Sequence, residues 1–154
     1  MALATPDGLV TAPALSSSAL VWILAHGPDV DSGGYATVEL YKSPVPSKAS
    51  EVVASKVADL PGHSDFNTLA TGGDFAATVS YDGGVMGHLV VAQLSTGKVW
   101  SLPARTVSTL WWDVIAASST DLLVSEADVH AHEPARLVHL VFSSLDIYAK
   151  NFGH

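Results

Sequence analysis

Short apolar runs alternate along this chain with clusters of Gly, Pro, Ser and Asp. The runs are rich in Val, Leu, Thr and aromatic residues, which favour strands, and the clusters supply turn residues. Residues 37–41 alternate polar and apolar positions, as a strand with one exposed face requires, whereas 20–24 is apolar on both faces, as in a central strand. The pattern predicts an all-β chain.

The predicted strands are 19–25, 36–42, 66–70, 75–81, 88–94, 98–102, 112–116, 122–126 and 136–142. The segment 47–60 has two interpretations. Its Val53, Val57 and Leu60 follow helical spacing behind a cap at Ser47 or Ser50, but a Val-rich run also suits a strand. We keep both for this segment.

Three segments repeat at a spacing of about 50 residues, and each holds two apolar strands joined by a polar or Gly-rich turn. The first strands begin near Ala19, Asp74 and Asp121, and the second strands contain Thr37, Leu89 and Leu137. Several strands per repeat at this period are typical of propeller blades. We therefore predict one domain over 1–154, with approximate repeats 15–60, 62–110 and 111–150.

The middle repeat carries turn motifs at three places. The pair Gly62-His63 precedes its first strand, Asp82-Gly83 stands at a hairpin turn, and 95–98 (Ser-Thr-Gly-Lys) leads into an outer strand. On these motifs, residues 62–103 resemble a blade of a WD40-like or TolB-like β-propeller, and 15–145 resembles the repeat in outline. The resemblance implies radially arranged antiparallel sheets and a structural role for the Gly-His pair.

The number of blades raises a question of closure. About three blades fit into this chain, whereas closed propellers typically have 4 to 8. An open arc exposes blade faces and a sheet edge, which invite association. We therefore expect a piece of a longer propeller, or blades completed by oligomerisation or by another chain. The alternative is a single β-sandwich or barrel, in which the repeats are an accident of short strands.

Composition narrows the classes of partner. The 154 residues carry a net charge of −8, and their Lys and Arg are scattered, so nucleic acid and anionic membranes are not expected to bind. The longest apolar run, 19–25, is too short to cross a bilayer, and no basic residue precedes Lys42 to form a signal peptide. We expect a soluble, cytoplasmic protein. The absence of Cys excludes disulfides and thiolate metal sites.

The densest group of metal-ligating residues is Asp128, His130 and His132. In an extended segment these side chains share one face, where two imidazoles and a carboxylate converge on a divalent ion. The same residues also suit a polar loop that titrates near neutral pH. Asp29 and Asp31 lie in a separate, Gly-rich turn, and they supply too few oxygen ligands for a calcium loop.

No arrangement of residues predicts nucleophilic catalysis. The quartet 62–65 (Gly-His-Ser-Asp) contains the residue types of a triad, but neighbours along a strand point apart. The sequence has no Gly-x-Ser-x-Gly elbow and no Cys nucleophile. We therefore predict no catalytic residues and no cofactor.

The pair Trp111 and Trp112 supplies the candidate binding residues. Neighbours on a strand face opposite sides of the sheet, so one indole is expected at the surface, where Trp anchors partners. The leading hypothesis is a noncatalytic propeller-type module that binds protein or forms homo-oligomers. The alternatives are a β-barrel or sandwich that binds a small ligand or carbohydrate, and a metal-dependent enzyme using Asp128, His130 and His132.

Overall fold

The computed structural model describes residues 9–27, 37–61, 68–81, 87–103, 110–128 and 134–152. Antiparallel strands dominate these residues, as the apolar pattern predicts. The elements are β1 (Leu9–Leu15), β2 (Ala19–His26), β3 (Thr37–Pro44), β4 (Ser55–Leu60), β5 (Leu69–Gly72), β6 (Phe75–Tyr81), β7 (Gly87–Gln93), β8 (Val99–Pro103), β9 (Leu110–Ala117), β10 (Asp121–Asp128), β11 (Arg136–Val141) and α1 (Leu145–Phe152).

The strands form three separate antiparallel sheets. The first sheet has the order β1-β2-β3-β4, the second β5-β6-β7-β8, and the third β9-β10-β11. Each strand pairs with its neighbours in sequence, as in a meander, and within the described residues no sheet closes into a barrel. The prediction of an all-β fold made of blade-like sheets is therefore confirmed.

The first hairpins of the three sheets share one register. The N–H of Ser16 donates to Ala19 O (2.9 Å), and the N–H of Ser118 donates to Asp121 O (2.8 Å). In the second sheet, Gly72 pairs with Phe75 in the same way. Ala19, Phe75 and Asp121 therefore occupy equivalent positions. The sequence alignment placed Asp74 there, one residue too early, because it matched acidic residues rather than hairpin ends.

Each sheet has two faces that we name by these equivalent positions. The front face carries the side chains of Ala19, Phe75 or Asp121 and their alternate neighbours, and the back face is the opposite one. The front face of the first sheet packs on the back face of the second, and Ile23 and Val90 belong to the core between them. The front face of the second sheet packs on the back face of the third, and Val79 and Leu122 belong to the core between them.

The first strands of the sheets come together at the hairpin end. β1 contacts β5, and β5 contacts β9. A Cβ on Gly72 would lie 2.6 Å from the carbonyl oxygen of Ala117, so only glycine permits this approach of the two backbones. Convergence of first strands is how blades meet around an axis.

The segment 47–60 is not a long helix. It forms a short 3-10 turn at Ala49–Glu51, where Glu51 accepts a hydrogen bond from Ser47 Oγ (2.5 Å), followed by strand β4. Val57 therefore lies in a strand, as its β-branched side chain favours, whereas Val52 and Val53 lie in the connection before it. The sequence pattern also failed to indicate β1 and the helix α1.

Helix α1 packs on the second sheet instead of continuing the third. Its Leu145 is fully buried between the second and third sheets. Asp146 Oδ1 accepts hydrogen bonds from Lys98 Nζ (2.7 Å) and Trp100 Nε1 (2.8 Å) on and beside β8, and these bonds lower the pKa of Asp146. The helix is far shorter than a bilayer-spanning segment, and no other helix in the described ranges reaches that length and apolarity.

Candidate functional site

The front face of the third sheet differs from the other front faces in exposure. Register places Leu40, Leu89 and Leu137 at equivalent positions, opposite Ile23, Val79 and Ser125. Leu40 and Leu89 are 1% and 0% exposed, whereas Leu137 is 69% exposed. One leucine position is therefore core in two sheets and surface in the third.

We call this surface the open face and define it by Ile115, Asp121, Leu123, Leu137 and His139. Leu123 pairs with His139 across β10 and β11, so the two side chains share this face. Ile115 lies at the irregularity where the register of β9 against β10 shifts, and it is half exposed. Leu123 lies on the central strand β10, and Leu137 lies on the edge strand β11 opposite Ser125, so apolar and polar residues are interspersed on this face.

The polar edge of the open face is a hydrogen-bonded cluster around Asp121. His139 Nε2 lies 2.9 Å from Asp121 Oδ1, and Ser118 Oγ donates to Asp121 Oδ2 (3.3 Å). Thr120 Oγ1 donates to the same oxygen, and this bond is the main reason that the pKa of Asp121 is lowered. The cluster holds the end of the β9–β10 hairpin.

This cluster contains the residue types of a catalytic triad in the wrong order. A triad needs the imidazole between the hydroxyl and the carboxylate, so that it can take the hydroxyl proton. Here Asp121 lies between Ser118 and His139. The carboxylate therefore orients both groups, and Ser118 is not activated as a nucleophile.

At the other end of the molecule, the back face of the first sheet is buried along its central strand, whereas Leu15 on its edge strand β1 is 66% exposed. We call it the closed face and define it by Trp22, Leu24, Glu39, Tyr41 and Lys56. Trp22 is 1% exposed and Leu24 is 2% exposed. The Trp22 ring stacks on Tyr41 with centroids 5.9 Å apart, and its buried Nε1 has no hydrogen-bond partner within the described part of the chain.

Glu39 is the centre of an ion-paired network on the closed face. It accepts hydrogen bonds from Lys56 Nζ (2.5 Å) and Tyr41 OH (3.1 Å), and it lies 3.2 Å from His26 Nε2. The bond from Lys56 lowers the pKa of Glu39, and the bonds to Asp59 and Glu39 raise the pKa of Lys56. Both groups are held charged at neutral pH, so neither is poised to transfer a proton.

A cleft of about 380 Å³ separates the hairpin ends of the first and second sheets. Lys42 and Asp74 line it, together with several serines. Lys42 Nζ donates to Leu94 O (2.6 Å), and Asp74 Oδ2 accepts from Gln93 Nε2 (3.0 Å). The charged groups are thus bonded within the protein, and the described lining residues include no aromatic ring to stack on a sugar.

Both predicted Trp residues lie on β9 of the third sheet. Trp111 pairs with Ala127, and Trp112 pairs with Glu126. That they bind a partner stays a prediction.

Of the predicted metal ligands, Asp128 is the last residue of β10, opposite Leu110. His130 and His132 lie outside the described residues, as do Asp29, Asp31 and the 62–65 quartet. Among the residues that the structure describes, no group of three His, Cys, Asp or Glu side chains is placed to hold a metal ion. The 128–132 segment as a ligand set stays a prediction.

Sequence analysis missed Leu137 as a surface residue. Its neighbours Val138, Leu140 and Val141 make the segment look like a core strand, and its position repeats two buried leucines. No local signal separates it from Leu40 and Leu89, because its exposure depends on contacts between sheets and not on the residue pattern of one strand.

Comparison with known proteins adds little to this description. No family model matches the sequence, and no curated protein matches it either. The chain is similar to a solved structure of an acylaminoacyl peptidase in complex with Z-Gly-Gly-Phe-chloromethyl ketone, at 12% sequence identity and a TM-score of 0.48. The match covers 83% of this chain but 20% of that chain, so this chain spans about a fifth of its length. A likeness this weak assigns neither a fold nor an activity.

Proposed function

We propose that this chain is a noncatalytic, β-propeller-type interaction module that binds another protein chain through the open face. The observation that carries the proposal is the exposure of Leu137. At the equivalent position, Leu40 and Leu89 lie in the two cores between sheets. A face that exposes a leucine at a position buried in the other two sheets is suited to pack against another protein surface.

The energetics favour covering this face. Burying a leucine side chain that is otherwise exposed contributes roughly 1.5–3 kcal/mol. Ile115 and Leu137 are large exposed apolar residues of the third sheet, with half-buried Leu123 on the same face. Exposed apolar residues gathered on one face are candidates for an interaction site, and Asp121 and His139 lie beside them on this face.

The Trp pair extends this proposal along β9. Trp111 and Trp112 belong to the same sheet as the open face, at register positions opposite Ala127 and Glu126. Tryptophan is enriched among the few residues that carry most of the binding energy of an interface. Because neighbours on a strand face opposite sides of the sheet, we assign one of the pair the role of anchor for the bound chain.

Site-specific photocrosslinking tests the proposal. A photoreactive amino acid in place of Leu137 is expected to form a crosslinked protein product in the cells that express this chain. The matched control carries the photoreactive amino acid in place of Ile147, which is 60% exposed but lies on α1 and not on the open face. The crosslinked protein must then be identified and purified. It must bind the wild-type chain more tightly than it binds the Leu137→Asp variant, and its affinity for the Ile147→Asp variant must equal that for wild type. The absence of a product specific to position 137 would overturn the proposal.

A further inference from the structure

We infer that the cleft between the hairpin ends of the first and second sheets binds a small zwitterion, a molecule that carries both an ammonium and a carboxylate group. Free amino acids and dipeptides both supply this chemistry. The site is separate from the open face. The inference rests on the two charged residues that line the cleft, Lys42 and Asp74.

Lys42 occupies a core position of its sheet. It pairs with Val21, which is fully buried on the front face of the first sheet. The equivalent position of the second sheet, opposite Ala77, holds Val91, which is also fully buried. The lysine is half-buried, and withdrawal of an ammonium from water is costly unless partners compensate it. The partners of Lys42 therefore decide its role.

The ammonium of Lys42 has a carbonyl partner and no carboxylate partner. Nζ donates to Leu94 O (2.6 Å) at the end of β7, and an ammonium has two further N–H donors. Lys56 and Lys98, by contrast, are paired with carboxylates. No acidic side chain among the described residues pairs with Lys42. Its positive charge is therefore available to an anionic group in the cleft.

Asp74 supplies the opposite charge from the second sheet. Its Oδ2 accepts hydrogen bonds from Gln93 Nε2 (3.0 Å) and Ser95 Oγ, and in the described part of the chain its Oδ1 accepts none. The N–H of Leu94 donates to Asp74 O (2.7 Å), and the carbonyl oxygen of Leu94 accepts from Lys42. Leu94 thus links the two charged residues, yet their side chains form no ion pair with each other. A ligand with one charge of each sign fits between them.

The remaining lining of the cleft suits a small polar molecule. Its volume of about 380 Å³ lies near the lower end of the range for ligand pockets, roughly 300–1,000 Å³. The hydroxyls of exposed Ser18 and Ser55 can donate to a carboxylate, and buried Leu94 provides an apolar wall. A purely anionic ligand would be repelled by Asp74, and a purely cationic ligand by Lys42.

NMR titration of the purified full chain at pH 7 tests the site. The probes are alanine and alanyl-alanine, which are zwitterions, and N-acetylalanine and alanine amide, which each keep one of the two charges. We expect one or both zwitterions to bind about tenfold more tightly than either blocked probe, because each blocked probe lacks one charge-assisted hydrogen bond. The tighter zwitterion identifies the source. Equal affinities for zwitterions and blocked probes, or no binding at tens of millimolar, would overturn the inference.

Substitutions locate the bound zwitterion. Lys42→Met should weaken its binding about tenfold, and Lys42→Arg, which keeps the charge, should retain most of the affinity. Asp74→Asn should cause a similar loss, because the ligand ammonium loses its charged partner. Lys150→Met is the matched control, since Lys150 is exposed on α1 and its removal should leave the affinity unchanged.

Circular dichroism confirms that each variant folds. If Lys42→Met does not fold, Asp74→Asn and Lys42→Arg carry the test. A folded Lys42→Met or Asp74→Asn chain that binds the zwitterion as tightly as wild type would overturn the assignment of the cleft.

Discussion

The closed face of the first sheet and the open face of the third sheet end the same stack, yet they differ in composition and burial. The closed face has Trp22 and Leu24 buried on its central strand and a charged network beside them. The open face has smaller apolar side chains, and its leucine at position 137 is exposed. Apolar character alone therefore does not decide burial here.

The largest effect is expected from truncation of the closed face. Trp22→Ala should lower the free energy of unfolding by about 3–5 kcal/mol, because it removes a fully buried aromatic side chain and leaves a cavity. Urea denaturation measures the change. A loss no greater than that of Leu137→Ala would show that the two terminal faces are equally open, and the comparison would fail.

The equivalent leucines sharpen the comparison at one position. Leu89→Ala should cost about 2–5 kcal/mol, since Leu89 is buried between the second and third sheets. Leu137→Ala should stay within about 0.5 kcal/mol of wild type when measured at concentrations that keep the chain monomeric. Leu40→Ala serves as a second buried reference. Equal costs for Leu89 and Leu137 would contradict the assignment of an open face.

A smaller effect is expected from the charged network of the closed face. Glu39→Gln should lower the free energy of unfolding at pH 7 by about 1 kcal/mol, the upper range for ion pairs that water screens. Because the pKa of Glu39 is lowered by Lys56, its contribution is present above the ordinary glutamate value of 4.5 and lost as pH falls through the folded-state value.

The difference between wild type and Glu39→Gln should therefore shrink on acidification below pH 4.5, as chemical denaturation over a pH series would measure. Asp59→Asn is the matched control, because its exposed carboxylate pairs with the same Lys56 Nζ (2.8 Å). A difference that is constant with pH would mean that Glu39 contributes through packing and not through its charge.

Much of the fold could be predicted from the sequence. The strands around Ala19, Phe75 and Leu122 were identified because apolar runs between turn residues report burial directly. Their division among three sheets followed from the repeat at about 50 residues. β1 was missed because 9–15 mixes Pro and Ala with few β-branched residues, and its pairing with β2 supplies what its propensity lacks.

The candidate site could be predicted less well. Leu137 and Leu89 look alike in sequence, and their difference depends on which sheet follows each of them in space. The helix α1 was missed because its eight residues carry a weak helical pattern and gain their order from packing on β8 through Leu145 and Asp146. Contacts between distant segments decide both features, and local patterns do not encode them.

The meander order of the sheets has a consequence for how the chain folds. Every described strand pairs with strands adjacent to it in sequence, so each sheet is complete as soon as its own segment is available. Low sequence separation of contacts favours rapid folding, since little loop entropy is lost before contacts form. During synthesis, the front face of a completed first or second sheet therefore stays exposed to solvent until the following sheet has folded against it.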